Sequence, residues 1–96
     1  MNKQVFEEGL QAEGYSAAVE IKRPAGYEMV QHAHPFDAWA LITAGEITIA
    51  LGLGFDKVAK TYRVGDTFKL PRETLHFEYA GPNGVTYFSG RRESSA

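Results

Sequence analysis

The stretch HAHPFDAWALITAGE, from His32 to Glu46, places two histidines one residue apart, just before an apolar run. If these residues form a β-strand, His32 and His34 point to the same face, because successive side chains of a strand alternate. The same rule predicts Val30 on the face of the histidines and Met29 on the other. Two imidazoles on one rigid strand can bind a single metal ion. A lone His-x-His pair is a weak signal, so this interpretation depends on the rest of the chain.

Composition limits the classes of protein to which the chain can belong. Its 96 residues suit one domain, residues 1–96, and its net charge is −2. The only adjacent basic pairs, Lys22-Arg23 and Arg91-Arg92, are interpreted as solvated surface, so we expect no nucleic-acid partner. The absence of cysteine excludes disulfides, thiolate ligands and a cysteine nucleophile. With neither a signal segment nor a membrane-length apolar run, we expect a cytoplasmic protein without a membrane partner.

Most of the chain is predicted to form short β-strands. Apolar, β-branched and aromatic residues alternate with polar ones, and glycine or proline separates the runs. Turns are predicted at Ala44-Gly45, at Gly52 and Gly54, and at 81–84. Because no helical segments lie between the strands, a parallel α/β fold is excluded, and an all-β sandwich or barrel is predicted.

The N-terminal segment differs from the rest. Val5, Phe6 and Leu10 lie at helix-like spacing, and Gly14 is a typical helix stop. We therefore predict a short N-terminal helix or turn before the first strand.

The remaining histidine strengthens the metal hypothesis. His76 begins a predicted strand after the turn PRETLH, and in a small antiparallel barrel that strand can face His32 and His34. Neutral imidazoles in an apolar interior need partners for their ring nitrogens, and a shared divalent metal supplies one. The alternative is three histidines that are hydrogen-bonded separately and partly exposed.

Two spaced patterns resemble the two sequence motifs of the cupin superfamily. G-x5-H-x-H-x3-A-x6-G runs from Gly26 to Gly45, and G-x5-P-x-E-x2-H-x3-A from Gly65 to Ala80. Glu73 stands where the second motif usually has glycine, and Ala80 where it usually has asparagine. The resemblance implies a small, RmlC-like cupin, that is, a double-stranded β-helix or jelly-roll barrel.

The resemblance also implies a metal site. By position, His32, His34 and His76 are the metal ligands, whereas the family's fourth ligand, a glutamate, is replaced by Ala38, which cannot coordinate. Asp37 and Glu78 are the open alternatives. In a regular strand Asp37 points to the face opposite His34, unless Pro35 breaks the register. Glu78 shares the face of His76, so it can act as a ligand, as a general base or as a partner of a ligand. Iron, zinc, nickel and manganese all suit such ligands.

Function is less narrowly predicted. The hypothesis is a metal-dependent enzyme, dioxygenase-like or related, that acts on a small organic molecule, with Glu78 as a candidate catalytic residue. The candidate substrate pocket consists of Phe36, Ala38, Trp39 and Tyr87, although core packing is the alternative for each aromatic residue. Arg72 either meets an anionic substrate or lies on the surface. The alternative functions are a non-catalytic sensor or storage module, and a metal-free jelly roll. A homodimer is expected, because a small barrel exposes sheet edges and cupins commonly pair.

Overall fold

The computed structural model describes residues 1–51 and 58–93 as one helix and six strands. The helix is α1 (Lys3–Ala12), and the strands are β1 (Val19–Arg23), β2 (Glu28–His32), β3 (Phe36–Leu51), β4 (Val58–Arg63), β5 (Thr67–Leu70) and β6 (His76–Glu93). The turn predicted at Gly52 and Gly54 lies outside the described residues. No helix within the described ranges is long and apolar enough to cross a membrane. The assignment of residues 1–96 to one domain stays a prediction.

Two long strands, β3 and β6, pair antiparallel along almost their whole length and run through both layers of the fold. One layer consists of β1, the second half of β6, the first half of β3, and β5. The other consists of β2, the first half of β6, the second half of β3, and β4. The main core lies between them and includes Ile42, Phe68 and Val85 from the first layer and Ile47 and Ile49 from the second. This confirms the predicted all-β jelly roll.

The turns predicted at Ala44-Gly45 and at 81–84 are corners inside long strands. The register of β3 with β6 shifts between Ile42 and Ala44 and again between Gly45 and Ile47, but pairing continues on both sides. Gly45 and Gly84 have φ of +69° and +76°, and a Cβ on Gly45 would clash with the Gly84 carbonyl. A side chain at either glycine would be crowded by neighbouring backbone and would have to adopt a left-handed conformation, so glycine at both positions suits the bend. The prediction of separate strands was wrong here, because β3 and β6 each remain one strand whose pairing resumes beyond the bend.

Helix α1 confirms the predicted N-terminal helix and covers the outer face of β3. The side chain of Asn2 caps it by accepting from the Val5 amide, and Phe6 and Leu10 are buried. Val5 does not share that buried face and is 48% exposed. Residues 6 and 10 are four apart and share one side of the helix, whereas residue 5 is turned away.

Trp39 packs beneath this helix. Its ring makes edge contacts with Phe6 and Tyr15, with centroids 5.4 and 5.6 Å apart, in a cluster that also includes Leu41. This corrects the prediction that Trp39 lines the pocket. Ala38 and Trp39 are neighbours in one strand, so only one of them can face the barrel interior.

Candidate metal centre

The three histidines meet where β2 and β6 pair. His32 ends β2 and is in register with His76, the first residue of β6, while His34 lies between β2 and β3. The ring centroid of His32 is 4.2 Å from that of His76 and 4.8 Å from that of His34. The Glu73 amide donates a 2.7 Å hydrogen bond to the His34 carbonyl, which joins the segments carrying the two motifs.

A β-bulge determines which residues of β2 face the interior. Met29 pairs with Glu78 and His32 with His76, so Val30 and Gln31 on β2 lie opposite a single residue of β6. Met29 and His32 therefore both line the interior, although their positions differ in parity. Val30 is 75% exposed. The predicted faces of Met29 and Val30 were wrong because strict alternation does not hold across a bulge.

Among residues 1–51 and 58–93, Glu78 is the only carboxylate that joins the histidines. It is 8% exposed, and its Oε2 lies 3.1 Å from Nε2 of His32 and 3.8 Å from Nε2 of His76. One ligand atom from each of the four residues lies within 4.8 Å of all the others. The carboxylate thus comes from β6, two residues after His76, rather than from position 38.

The hydrogen bonds of the His32 and His76 rings show which ring nitrogen carries the proton in the neutral form. His32 Nδ1 lies 2.8 Å from the Val30 carbonyl, and His76 Nδ1 lies 2.9 Å from the Thr74 carbonyl. Because a carbonyl only accepts, each Nδ1 carries the proton, and in the neutral ring Nε2 presents a lone pair. A backbone carbonyl on the far nitrogen is the usual arrangement for a histidine that binds a metal through Nε2.

Both of these Nε2 atoms are buried and have no hydrogen-bond partner among residues 1–51 and 58–93. Glu78 approaches His32 Nε2 closely without forming a hydrogen bond to it. Two lone pairs and a carboxylate therefore face one another without a donor. Such a cluster of acceptors is costly unless a cation lies among them, and its ligand types fit a divalent transition metal.

His34 is oriented by stacking. Its ring lies nearly parallel to that of Phe36, at 22° and 4.8 Å, and the Arg91 guanidinium carbon lies 4.2 Å from the centre of the Phe36 ring. Burial is the main cause that lowers the pKa of His34; a proton on His32 or His76 would lower it further, Glu78 raises it, and Arg91 lowers it. The neutral, metal-binding form of His34 is thereby favoured.

Asp37 lies outside the cluster, in a network with two arginines. Its Oδ1 accepts from the backbone amide of Arg72 at 2.8 Å, and its Oδ2 accepts from Nη2 of Arg72 at 3.1 Å and of Arg92 at 3.0 Å. The hydrogen bonds from Arg72, followed by that from Arg92, hold the pKa of Asp37 well below its usual range. Of the two predicted alternatives, the structure brings Glu78 and not Asp37 to the histidines, and Arg72 is engaged by Asp37.

A cavity of about 240 Å³ opens beside the cluster, between the two layers. Of the predicted pocket residues, Phe36, Ala38 and Tyr87 line it, together with His32, His34 and Glu78. Its apolar wall includes Ile21, Phe68 and Leu70, and its polar wall includes Arg23, Tyr27 and Arg91.

Sequence reasoning interpreted Arg23 and Arg91 as surface, and both are exposed, but it did not predict that they also line the cavity. Arg23 shares strand parity with Ile21 and Val19 on β1, and all three line the cavity. Arg91 shares parity with Tyr87 on β6 and also lines it. The parity of each arginine with its apolar strand neighbours was a signal in the sequence that could have identified both.

The fold of this chain is shared by solved structures, although its sequence has no match among known families. No protein-family model and no curated protein sequence matches the chain. Among solved structures, a cupin superfamily protein from Desulfitobacterium hafniense superposes with a TM-score of 0.66 and 15% identity, over 81% of this chain and 67% of the other. The chain has the cupin fold.

Other solved structures share this fold. A conserved protein of unknown function from Streptococcus pyogenes has a TM-score of 0.69 and 21% identity, over 83% of this chain and 66% of the other chain. Bacillus subtilis oxalate decarboxylase, a protein with Mn(II) centres, has a TM-score of 0.69 and 20% identity, over 83% of this chain and 22% of its own chain. This chain thus spans about two thirds of the first of these and under a quarter of the second.

Proposed function

We propose that this cupin binds one divalent transition metal through His32, His34, His76 and Glu78. The supporting observation is the pair of buried, unpartnered Nε2 atoms that face a buried carboxylate within the described residues. A divalent ion would satisfy all three acceptors at once, and its charge would offset that of Glu78. Iron, zinc, nickel and manganese remain the candidate ions, because imidazole and carboxylate ligands suit each of them.

We infer further that the bound metal acts on a small organic molecule in the adjacent cavity. A metal there would supply Lewis acidity, which polarises an oxygen atom of the ligand. The chain itself contributes apolar walls that exclude water, and Glu78, whose position next to the histidines suits a ligand or a general base. The reaction class that we propose is dioxygenase-like or a related metal-dependent reaction.

A non-catalytic binding module is the second candidate. The observation that favours it is the size of the cavity, about 240 Å³, which is below the roughly 300–1,000 Å³ of typical ligand pockets. A small ligand or the metal itself would then be the cargo. Cytoplasmic location and dimerisation remain part of the proposal for either function.

Metal analysis tests the centre. We expect elemental analysis of untagged protein to find about one transition metal ion per chain. His76→Ala should remove most of it, and Glu78→Gln should weaken binding by at least tenfold, because a charged ligand is lost. Glu28→Gln is the matched control, since Glu28 is an exposed carboxylate on β2. Protein that cannot be loaded with any of the four metals, or a His76→Ala variant that retains its metal, would contradict the site.

Oxygen-uptake measurements separate the two functions. The iron-loaded protein is assayed with a panel of small organic acids, ketones and thiols, against the metal salt alone. Uptake above that control, lost in His76→Ala, supports the enzyme. Ligand binding without turnover of any panel member supports the binding module.

A further inference from the structure

A second group of polar side chains lies in the cavity, apart from the metal cluster. Tyr87 projects into it from β6 and is only 7% exposed, and Tyr27 and Arg23 line the same wall. The Arg23 guanidinium carbon lies 5.1 Å from the centre of the Tyr27 ring. Burial is the main cause that raises the pKa of both tyrosines, and Arg23, which is itself exposed, opposes that rise. Three donor groups therefore line one part of a cavity whose neighbouring walls are apolar.

The strand register places this group at one end of the cavity. Arg23 pairs with Val85, and Tyr87 with Ile21, close to the corner of β6. Arg91 is four residues beyond Tyr87 on the same strand, about 13 Å away at the ordinary rise of a strand, at the end where Phe36 and His34 lie. Arg23 and Arg91 thus lie at opposite ends of the cavity.

Glu78 links this polar group to the metal cluster. Burial raises the pKa of Tyr87 to about 12, and the negative charge of Glu78 contributes to the rise. Burial, followed by the charge of Glu78, also raises the pKa of Tyr27. Both phenols therefore keep their protons near neutral pH, and both lie within electrostatic reach of the carboxylate beside the histidines. The Ala80 amide donates to the Tyr27 carbonyl at 2.9 Å, and Ala80 is two residues after Glu78 on β6. Because Tyr27 and Glu78 line the same cavity, a short molecule can touch both groups.

We propose that Arg23, Tyr27 and Tyr87 form an oxyanion-binding subsite, and that the ligand of the cavity is a small organic acid. Its carboxylate lies at Arg23, and an oxygen at its other end reaches the metal cluster. Guanidinium and phenol hydroxyls are all donors to the two oxygens of a carboxylate, and a few convergent polar groups in an apolar pocket orient a ligand. Only the metal-bound end of this arrangement depends on the function proposed above.

The volume of the cavity limits the size of the acid. At about 30 Å³ for each water-sized group, 240 Å³ holds roughly eight such groups. Acids of about four carbons that carry a second oxygen group fit this limit, whereas long-chain fatty acids and nucleotides do not.

Binding measurements on the full chain test the subsite. Succinate is the two-ended probe and butyrate the one-ended probe, and both are titrated into Zn²⁺-loaded protein by calorimetry or by ¹⁵N-detected shift changes. We expect succinate to bind at least tenfold more tightly than butyrate. Arg23→Gln should weaken succinate binding by at least tenfold, the typical effect of losing a charged hydrogen bond, and Tyr87→Phe by about threefold.

Lys22→Gln is the matched control, because Lys22 is the exposed cation next to Arg23 on β1 and does not line the cavity. We expect it to change succinate affinity by less than threefold, and Arg23→Lys to retain part of the affinity. Equal losses in Arg23→Gln and Lys22→Gln would indicate a general positive field and would overturn the subsite. Unchanged succinate affinity in a folded Arg23→Gln variant would overturn it as well.

Metal-free protein separates this proposal from the metal site. There, weak butyrate binding should depend on Arg23 and Tyr87 and be unaffected by His76→Ala. If the protein binds no metal but butyrate binding is lost in Arg23→Gln, the metal function fails and the subsite stands. If the protein binds metal but butyrate affinity is the same in wild type and Arg23→Gln, the subsite fails and the metal site stands.

Discussion

Glu73 adopts a backbone conformation that residues with a side chain rarely occupy. Its φ is +62°, in the left-handed region that glycine enters without steric penalty. Glycine is the usual residue of the cupin motif at this position, and the geometry explains that preference. The Glu73 amide also donates to the His34 carbonyl, so this strained residue connects the turn before β6 to the backbone of a candidate metal ligand.

We predict that Glu73→Gly raises the free energy of unfolding by up to about 1 kcal/mol, because relief of the backbone strain exceeds the added entropy of the unfolded glycine. Urea denaturation of metal-free protein measures the change. Glu73→Ala is the control, since it removes the side chain and keeps the strain, and it should leave stability within about 0.5 kcal/mol. A Glu73→Gly variant less stable than wild type would contradict the prediction.

At the scale of secondary-structure elements, Asp37 ties together three parts of the chain. It lies on β3, and it accepts hydrogen bonds from Arg72, which follows β5, and from Arg92, near the end of β6. The Arg72 and Arg92 side chains are partly exposed, but because both bind the carboxylate of Asp37, they join β3, the end of β5 and the end of β6.

This network predicts a pH dependence of stability. Because the pKa of Asp37 is lower in the folded state than its unfolded value of about 3.9, its contribution is fully present above that value. It decreases as the pH falls further and the carboxylate becomes protonated. The difference in unfolding free energy between wild type and Asp37→Asn should therefore be largest above about pH 5 and shrink towards pH 2. Urea denaturation across this range measures the difference, and a difference that does not shrink at low pH would contradict the prediction.

Helix α1 is attached to the barrel by few side chains, so each has a large effect. Leu10 is 2% exposed and packs with Phe6 and Trp39, and a Cβ on Gly90 would lie 2.8 Å from its Cδ2. We predict that Leu10→Ala lowers the free energy of unfolding by about 2–5 kcal/mol, as is typical for such a cavity. Val5→Ala, on the exposed side of the same helix, should change it by less than about 0.5 kcal/mol. Equal effects in thermal denaturation would contradict the packing described for α1.

At the scale of the whole molecule, the sheet edges bear on assembly. Val19 on edge strand β1 and Val58 on edge strand β4 are 63% and 68% exposed. Exposed apolar edges favour pairing with another chain, so we expect a homodimer. Light scattering should give twice the 10.6 kDa chain mass at micromolar concentration. A monomer there, or a dimer unaffected by Val19→Lys and Val58→Lys, would contradict this expectation for these edges.

Much of this architecture could be predicted from short-range patterns. The short alternating runs between glycines and prolines predicted an all-β sandwich or barrel. The resemblance of the motifs around His32, His34 and His76 to those of cupins implied the jelly roll and made these histidines the candidate ligands. The shared parity of His76 and Glu78 likewise placed that carboxylate near the histidines. Parity, spacing and turn residues are local properties, so they can be read along one strand without knowledge of its partner.

The tertiary structure alone decided the rest. The bulge that turns Met29 inward depends on how β2 pairs with β6, and the engagement of Asp37 by Arg92 joins positions 55 residues apart. The convergence of Arg23 with Tyr87 depends on the pairing of β1 with β6. The sequence by itself determined the fold class and the histidine ligands to consider. Strand register decided which carboxylate accompanies those histidines and which residues line the cavity beside them. Register depends on partners that are distant in the sequence, so local patterns could not show it.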